Sequence, residues 1–270
     1  MMLKVVKNEY IKFFSGKKPY IFLLIIAVIA FLSAYMYADS RMQIINNTAA
    51  AQKVPLELKE MLLNITPLVF LKLFATDFIY KPVLQCLLII IGIITVNTFC
   101  EDYTSGNMKF FLVSSLKKAQ LFIGKIIYLL TIILLIVTAN MVFGYIAGAA
   151  FFGTGVFDIK VFGEVLLVYG FSVIPGVAFA TIIAILSILI RNTMTMFPLA
   201  IFISIILTTI DLFTVTKYFS PVGAMSLIGF DVISSSLNKD FILTNGVSLI
   251  YIAIGIVILT KIIKKQDILL

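Results

Sequence analysis

The chain has 270 residues, 61% of them hydrophobic and only 13% charged, with a net charge of +8. A soluble domain is roughly a quarter charged and about half apolar, so the composition excludes an ordinary water-soluble fold and specifies an all-α polytopic membrane protein. Histidine is absent, which removes histidine bases, nucleophile partners and metal ligands, and in such a chain the positive charge reads as topology rather than nucleic-acid affinity.

Residues 1–18 come first. Leu3, Val6, Tyr10, Phe13 and Phe14 share one helical face, with Lys4, Asn8, Lys12 and Ser15 opposite. This spacing predicts a basic amphipathic helix lying in the membrane interface. Gly16-Lys17-Lys18-Pro19 then turns the chain. Residues 20–38 form the first predicted span. That apolar run is longer than a signal-peptide core and follows a long amphipathic leader, so it reads as uncleaved. Residues 39–81 are the largest polar interruption and are predicted to be extracellular. Within them, 61–75 is apolar but short and carries Asn64, Pro67 and Lys72. It reads equally as a re-entrant or interfacial helix or as a small extracellular core.

Residues 82–100 form the second span, with Pro82 suited to a helix start. Cys86 and Cys100 lie at either end of this run, too far apart for a disulfide. A basic, polar island follows at 101–122. As a helix it has an apolar face of Met108, Phe111, Leu112, Leu116, Ala119, Phe122 and Ile123, while Lys109, Lys117 and Gln120 share the other side with Phe110, Val113 and Leu121. Apolar groups on both sides predict a second apolar neighbour, such as a protein docking from the cytoplasm.

The third span is 123–152, where Gly144 and Gly148 make a G-x-x-x-G that permits close helix packing. The fourth is 161–190. Pro175-Gly176 near its middle predicts a kink or a broken helix, either a static bend or a hinge. After a very short turn at Arg191-Asn192, the fifth span is 193–213. Residues 214–241 are an extracellular segment, and 242–263 is the sixth span. Six spans place both termini on one side. That side collects five lysines before the first span, four in 101–125, Arg191, and Lys261, Lys264 and Lys265. The other side has eight basic residues spread among nine acids. The positive-inside rule then makes both termini and the 101–125 stretch cytoplasmic.

No G-x-x-x-x-G-K-[ST] occurs, so the chain has no P-loop for ATP. There is also no zinc-ligand spacing and no G-x-S-x-G elbow. The span centres are nearly free of ionisable groups, with Gln85, Asn97, Asn140 and Asp211 as polar exceptions mostly near span ends. A proton- or sodium-coupled transporter usually places such a group at mid-membrane.

The order of elements, together with Glu101, Gly106, Lys109, Leu112, Ser114, Lys118 and Lys125, resembles the permease subunit of an ABC-2 type ABC transporter (type V exporter fold). Asn107 and Leu116 depart from that family's pattern, where Thr and Pro are common. The resemblance covers nearly the whole chain and extends to antimicrobial-peptide or antibiotic export and immunity permeases. It implies an elbow helix on Leu3, Val6, Tyr10, Phe13 and Phe14. It also implies an ATPase-coupling helix involving Glu101, Gly106, Lys109, Phe110, Leu112, Val113, Ser114 and Lys117. The implied partners are an ABC ATP-binding subunit carrying ATP and Mg, a second permease copy or sister permease, and membrane lipid, with no nucleic acid. The chain itself would bind no cofactor and would not be an enzyme. The location implied is a bacterial plasma membrane, with an amphipathic or lipophilic cargo. The alternative reading is a self-standing secondary transporter or membrane-embedded processing protein.

Overall fold

The computed structural model describes residues 2–46, 56–80, 85–104, 118–155, 158–213, 215–231 and 239–266. Among these residues the architecture is all helical. Helix α1 is Met2–Ser15, α2 Lys18–Asn46, α3 Leu56–Leu63 and α4 Pro67–Ala75, which runs into a π-helical turn at Thr76–Tyr80. Helix α5 is Cys86–Thr104, α6 Lys118–Phe152, α7 Ile159–Ile190, α8 Thr193–Ile210, α9 Gly223–Asp231 and α10 Lys239–Gln266. Helices α2, α5, α6, α7, α8 and α10 are each long and apolar enough to cross a membrane. The protein is a multi-pass, all-α membrane protein, and an even number of crossings brings both termini to one end, here called the termini end.

Helices α5 and α7 are the most enclosed spans, while α2, α8 and α10 turn much of their surface outward. Helix α7 packs against α5, α6 and α10, α8 against α5, and α2 against α6. The sequence explains the ends. Asp158 caps α7, its side chain accepting from the Lys160 and Val161 amides. Helix α7 stops at Arg191 in the left-handed region (φ 57°). Asn192 at once caps α8 by accepting from the Met194 amide, so a two-residue turn suffices.

Several boundaries differ from the sequence reading. The first span continues as helix to Asn46, eight residues past its expected end at 38, because Ala38-Asp-Ser-Arg-Met-Gln-Ile-Ile contains no helix breaker. The second runs to Thr104 rather than 100 and begins at Cys86, four residues after Pro82, which lies outside the described residues. Helix α6 starts at Lys118 and α8 ends at Ile210. Helix α7 passes through Pro175 as one continuous helix, so of the kink or break expected there the break is absent. Gly176 serves packing there: a Cβ would lie 2.9 Å from Ile91 Cδ1 on α5.

The short 61–75 run ends α3, turns at residues 64–66, where Asn64 is exposed, and then enters the bundle as α4. Thr66 caps α4 and Pro67 occupies its first turn. Phe70, Phe74 and Phe78 are fully buried, and α4 packs against α6 and α7. The glycines of the G-x-x-x-G receive this helix. A Cβ on Gly144 would lie 2.7 Å from Leu71 Cδ2, and one on Gly148 would lie 2.9 Å from Phe70 Cδ1 and 3.1 Å from the Pro67 backbone. The motif therefore seats a short inserted helix rather than another full span. In an apolar solvent such contact is held by close packing, since lipid removes the hydrophobic drive between helices. Lys72 on α4 pairs with Glu164 on α7, and the Tyr169 hydroxyl donates to the Leu71 carbonyl at 3.3 Å.

Candidate functional site

Among the described residues, the most charged buried place lies at the termini end, where α1, α5 and α6 meet. Lys125 sits on the buried stripe of α6 with Leu121 and Phe122, four and three residues before it, and Leu129 and Ile132, four and seven residues after it. Its side chain is 2% exposed. Asp102 occupies the matching stripe of α5, one turn beyond Thr98 and Phe99, and is 3% exposed. An ammonium there is tolerable only when paired and hydrogen-bonded. Lys125 Nζ donates to the Asp102 carboxylate and the Thr98 carbonyl. It also lies 5.1 Å from the centre of the Phe99 ring.

Helix α1 completes the cluster. Lys12 Nζ lies 2.8 Å from Asp102 Oδ1 and 3.4 Å from Glu9 Oε1, and Glu9 Oε1 is 3.7 Å from Lys125 Nζ. Two ammonium and two carboxylate groups balance. Burial alone would lower the Lys12 pKa, but the bonds to Asp102 and Glu9 outweigh it and raise the value above that of a free lysine. Tyr10 meets Tyr128 of α6 edge-on at 5.4 Å, and Phe13 stacks near Phe22 of α2 at 6.4 Å. The aromatic contacts position α1, and the ions fix its register. A cavity of about 280 Å³ opens beside the cluster between α1 and α5, with Lys12, Lys18, Asn97, Glu101 and Tyr128 among its walls. At its rim Lys18 reaches Glu101 at 3.3 Å and Asn97 Oδ1 at 3.5 Å.

The cluster therefore ties three elements at both ends of one segment: Asp102 just before residues 105–117, and Lys125 shortly after them. Of the expected coupling residues, Glu101 is exposed and pairs with Lys18. Gly106, Lys109, Phe110, Leu112, Val113, Ser114 and Lys117 lie outside the described residues.

On α1 the expected apolar stripe divides. Val6, Tyr10 and Phe13 pack on the bundle, whereas Leu3 and Phe14 are exposed. The face turned fully inward carries Val5 and Glu9 instead. Lys12, read from the sequence as part of the outward polar face, reaches Asp102 along this side. Glu9 and Asp102 were missed. The available signal was an ionisable group standing on a buried apolar stripe in each of two helices that must pack together.

Among the described residues no three of His, Cys, Asp and Glu gather as a transition-metal site requires. Cys100 forms no disulfide, and its Sγ donates to the Ser187 carbonyl at 3.5 Å. What the cluster offers is a buried, charge-balanced joint between α1, α5 and α6.

No curated protein matches the chain. Residues 73–269 match a family described as "Protein of unknown function (DUF2705)". That stretch runs from the second half of α4 through α10, and so includes Asp102 and Lys125 but not Glu9 and Lys12. With well over half of its length matched, the chain belongs to the DUF2705 family.

Proposed function

We propose that this chain is the membrane-embedded permease subunit of an ATP-driven exporter of the ABC-2 type. Its termini end would face the cytoplasm of a bacterial cell, and a separate ATP-binding subunit would dock on the 104–117 segment. The observation that carries the reading is the Glu9–Lys12–Asp102–Lys125 joint. It anchors both flanks of that segment to α1, α5 and α6, so a push on the segment would move spans rather than only bend a loop. Three further features support it. The sequence has no P-loop, which fits an energy source supplied by a separate ATP-binding chain. The basic excess lies at the termini end, as expected of a cytoplasmic face. The lipid-directed surfaces of α2 and α8 are apolar and uncharged over most of their length, which suits an amphipathic or lipophilic cargo such as an antimicrobial peptide or antibiotic taken from the bilayer.

Co-purification tests this reading. The chain is expressed with a candidate ATP-binding-cassette protein, solubilised, and recovered through a tag on the chain. Stoichiometric recovery of the ATPase is expected, and it should be lost in Gly106→Pro and Leu112→Asp while α1 and the spans stay folded. Unchanged recovery in both variants would show that the coupling segment lies elsewhere. A chain that transports alone in proteoliposomes, driven by an ion gradient and indifferent to ATP, would establish a self-standing transporter instead.

A further inference from the structure

At the end of the bundle opposite the termini, α8 finishes on Asp211, which is only 2% exposed. Its Oδ2 accepts hydrogen bonds from Ser220 at 3.0 Å and Ser226 at 3.3 Å. Its Oδ1 is buried with no hydrogen-bond partner. Among the described residues no lysine or arginine pairs with this carboxylate. Lys217, near in sequence, lies instead over the ring of Tyr218, 5.7 Å from its centre. Every other buried carboxylate described above has an ammonium beside it. A buried, unpaired carboxylate is strongly disfavoured unless a cation or a proton joins it.

The surroundings are built rather than incidental. The loop after α8 closes on itself: the Ser220 amide donates to the Thr216 carbonyl, and the Val222 amide to Ser220 Oγ. Gly223 is required for this closure, since a Cβ there would lie 1.7 Å from the Lys217 carbonyl oxygen. Ser248 of α10 donates to the Pro221 carbonyl at 2.8 Å, which fastens the loop to the last span. The result is a fixed set of hard oxygen donors drawn from the end of α8, the following loop and α9.

We propose that Asp211, Ser220 and Ser226 bind one monovalent alkali cation, sodium or potassium. The carboxylate supplies the single negative charge, and both serine hydroxyls can turn their lone pairs toward the ion because a hydroxyl accepts as well as donates. Carboxylate and hydroxyl oxygens are hard ligands, suited to alkali and alkaline-earth ions rather than to soft metals. The charge selects between those two classes: a divalent ion would leave one positive charge uncompensated among apolar neighbours, and a monovalent ion leaves none. The bound ion ties α8 to α9 and, through Pro221 and Ser248, to α10. The site does not depend on the permease reading.

The test uses the full chain purified in detergent at pH 7.5 and constant ionic strength. Its unfolding temperature is followed as N-methyl-D-glucamine chloride is replaced by NaCl, by KCl, or by a low concentration of CaCl2. A saturable rise with one or both alkali ions is expected, and the two salts identify which ion binds. Ser226→Ala should raise the half-saturating concentration about tenfold, the loss expected for one good ligand. Asp211→Asn should abolish the response and, in glucamine buffer, should be at least as stable as the wild type. Equilibrium dialysis of the wild type with ²²Na⁺ or ⁸⁶Rb⁺ gives a stoichiometry that does not depend on any variant folding. An unfolding temperature that ignores both alkali salts would overturn the proposal, as would one that rises only on acidification or a response retained in Asp211→Asn. A response to calcium alone would overturn the charge argument.

Discussion

Replacing Lys125 by methionine removes the central cation of the buried joint while keeping an unbranched apolar side chain out to Cε. The amine is almost fully enclosed and holds three partners: the Asp102 carboxylate, the Thr98 carbonyl and, at 3.7 Å, Glu9. Removing one member of a buried ion pair costs about 3–5 kcal/mol, because the other charge stays buried. Lys12 remains 2.8 Å from Asp102 Oδ1 and only partly enclosed, so the lower end of that range applies, about 3 kcal/mol. At roughly 2–4 °C per kcal/mol for a chain of this size, the unfolding temperature should fall on the order of 10 °C. The assay is thermal unfolding in detergent, run on Lys125→Met, Asp102→Leu and the double variant. The double variant should be more stable than the sum of the single losses allows, with a coupling of about 2 kcal/mol, because an apolar pair replaces an ionic one without stranding a charge. A fall below about 3 °C for Lys125→Met would refute the reasoning. So would strict additivity, since either result means that the charges are hydrated rather than enclosed.

The glycine seats give a steric prediction. Gly148→Leu should destabilise by about 1–3 kcal/mol and more than Gly144→Leu, because Pro67 backbone stands behind Gly148 whereas Gly144 faces side-chain atoms; unfolding temperatures in detergent compare them. At the same end, Lys72→Glu should lower the yield of folded protein, and Lys72→Glu with Glu164→Lys should recover most of it, as judged by size-exclusion profiles; no recovery would mean that the pair at α4 and α7 is incidental. Burial pushes the Asp211 pKa up, to about 6, although the bonds from Ser220 and Ser226 lower it. A carboxyl whose folded pKa lies above its unfolded value of about 3.9 contributes stability at acid pH that is lost as pH rises through the folded pKa. In alkali-free buffer the protein should therefore unfold at a higher temperature at pH 5 than at pH 7.5, and Asp211→Asn should flatten that dependence.

Composition and hydropathy alone determine that this is a six-span helical membrane protein, because lipid leaves backbone polar groups no partner outside a helix or a closed barrel. Local chemistry also determines the α7–α8 turn, where Asn192 is a ready cap. The elements least legible are those whose partners are distant in sequence. Nothing in 61–75 says that Phe70 and Phe74 enter the bundle, since a short apolar run is equally at home on a surface, and the decision belongs to Gly144 and Gly148 on α6. Likewise Lys125 and Asp102 each stand out on an apolar stripe, but the sequence does not say that they meet each other or that Glu9 and Lys12 close the group. Periodicity reports which face of a helix is buried. Which buried faces touch is settled only when the helices pack, because pairing energy depends on distances that no local pattern contains.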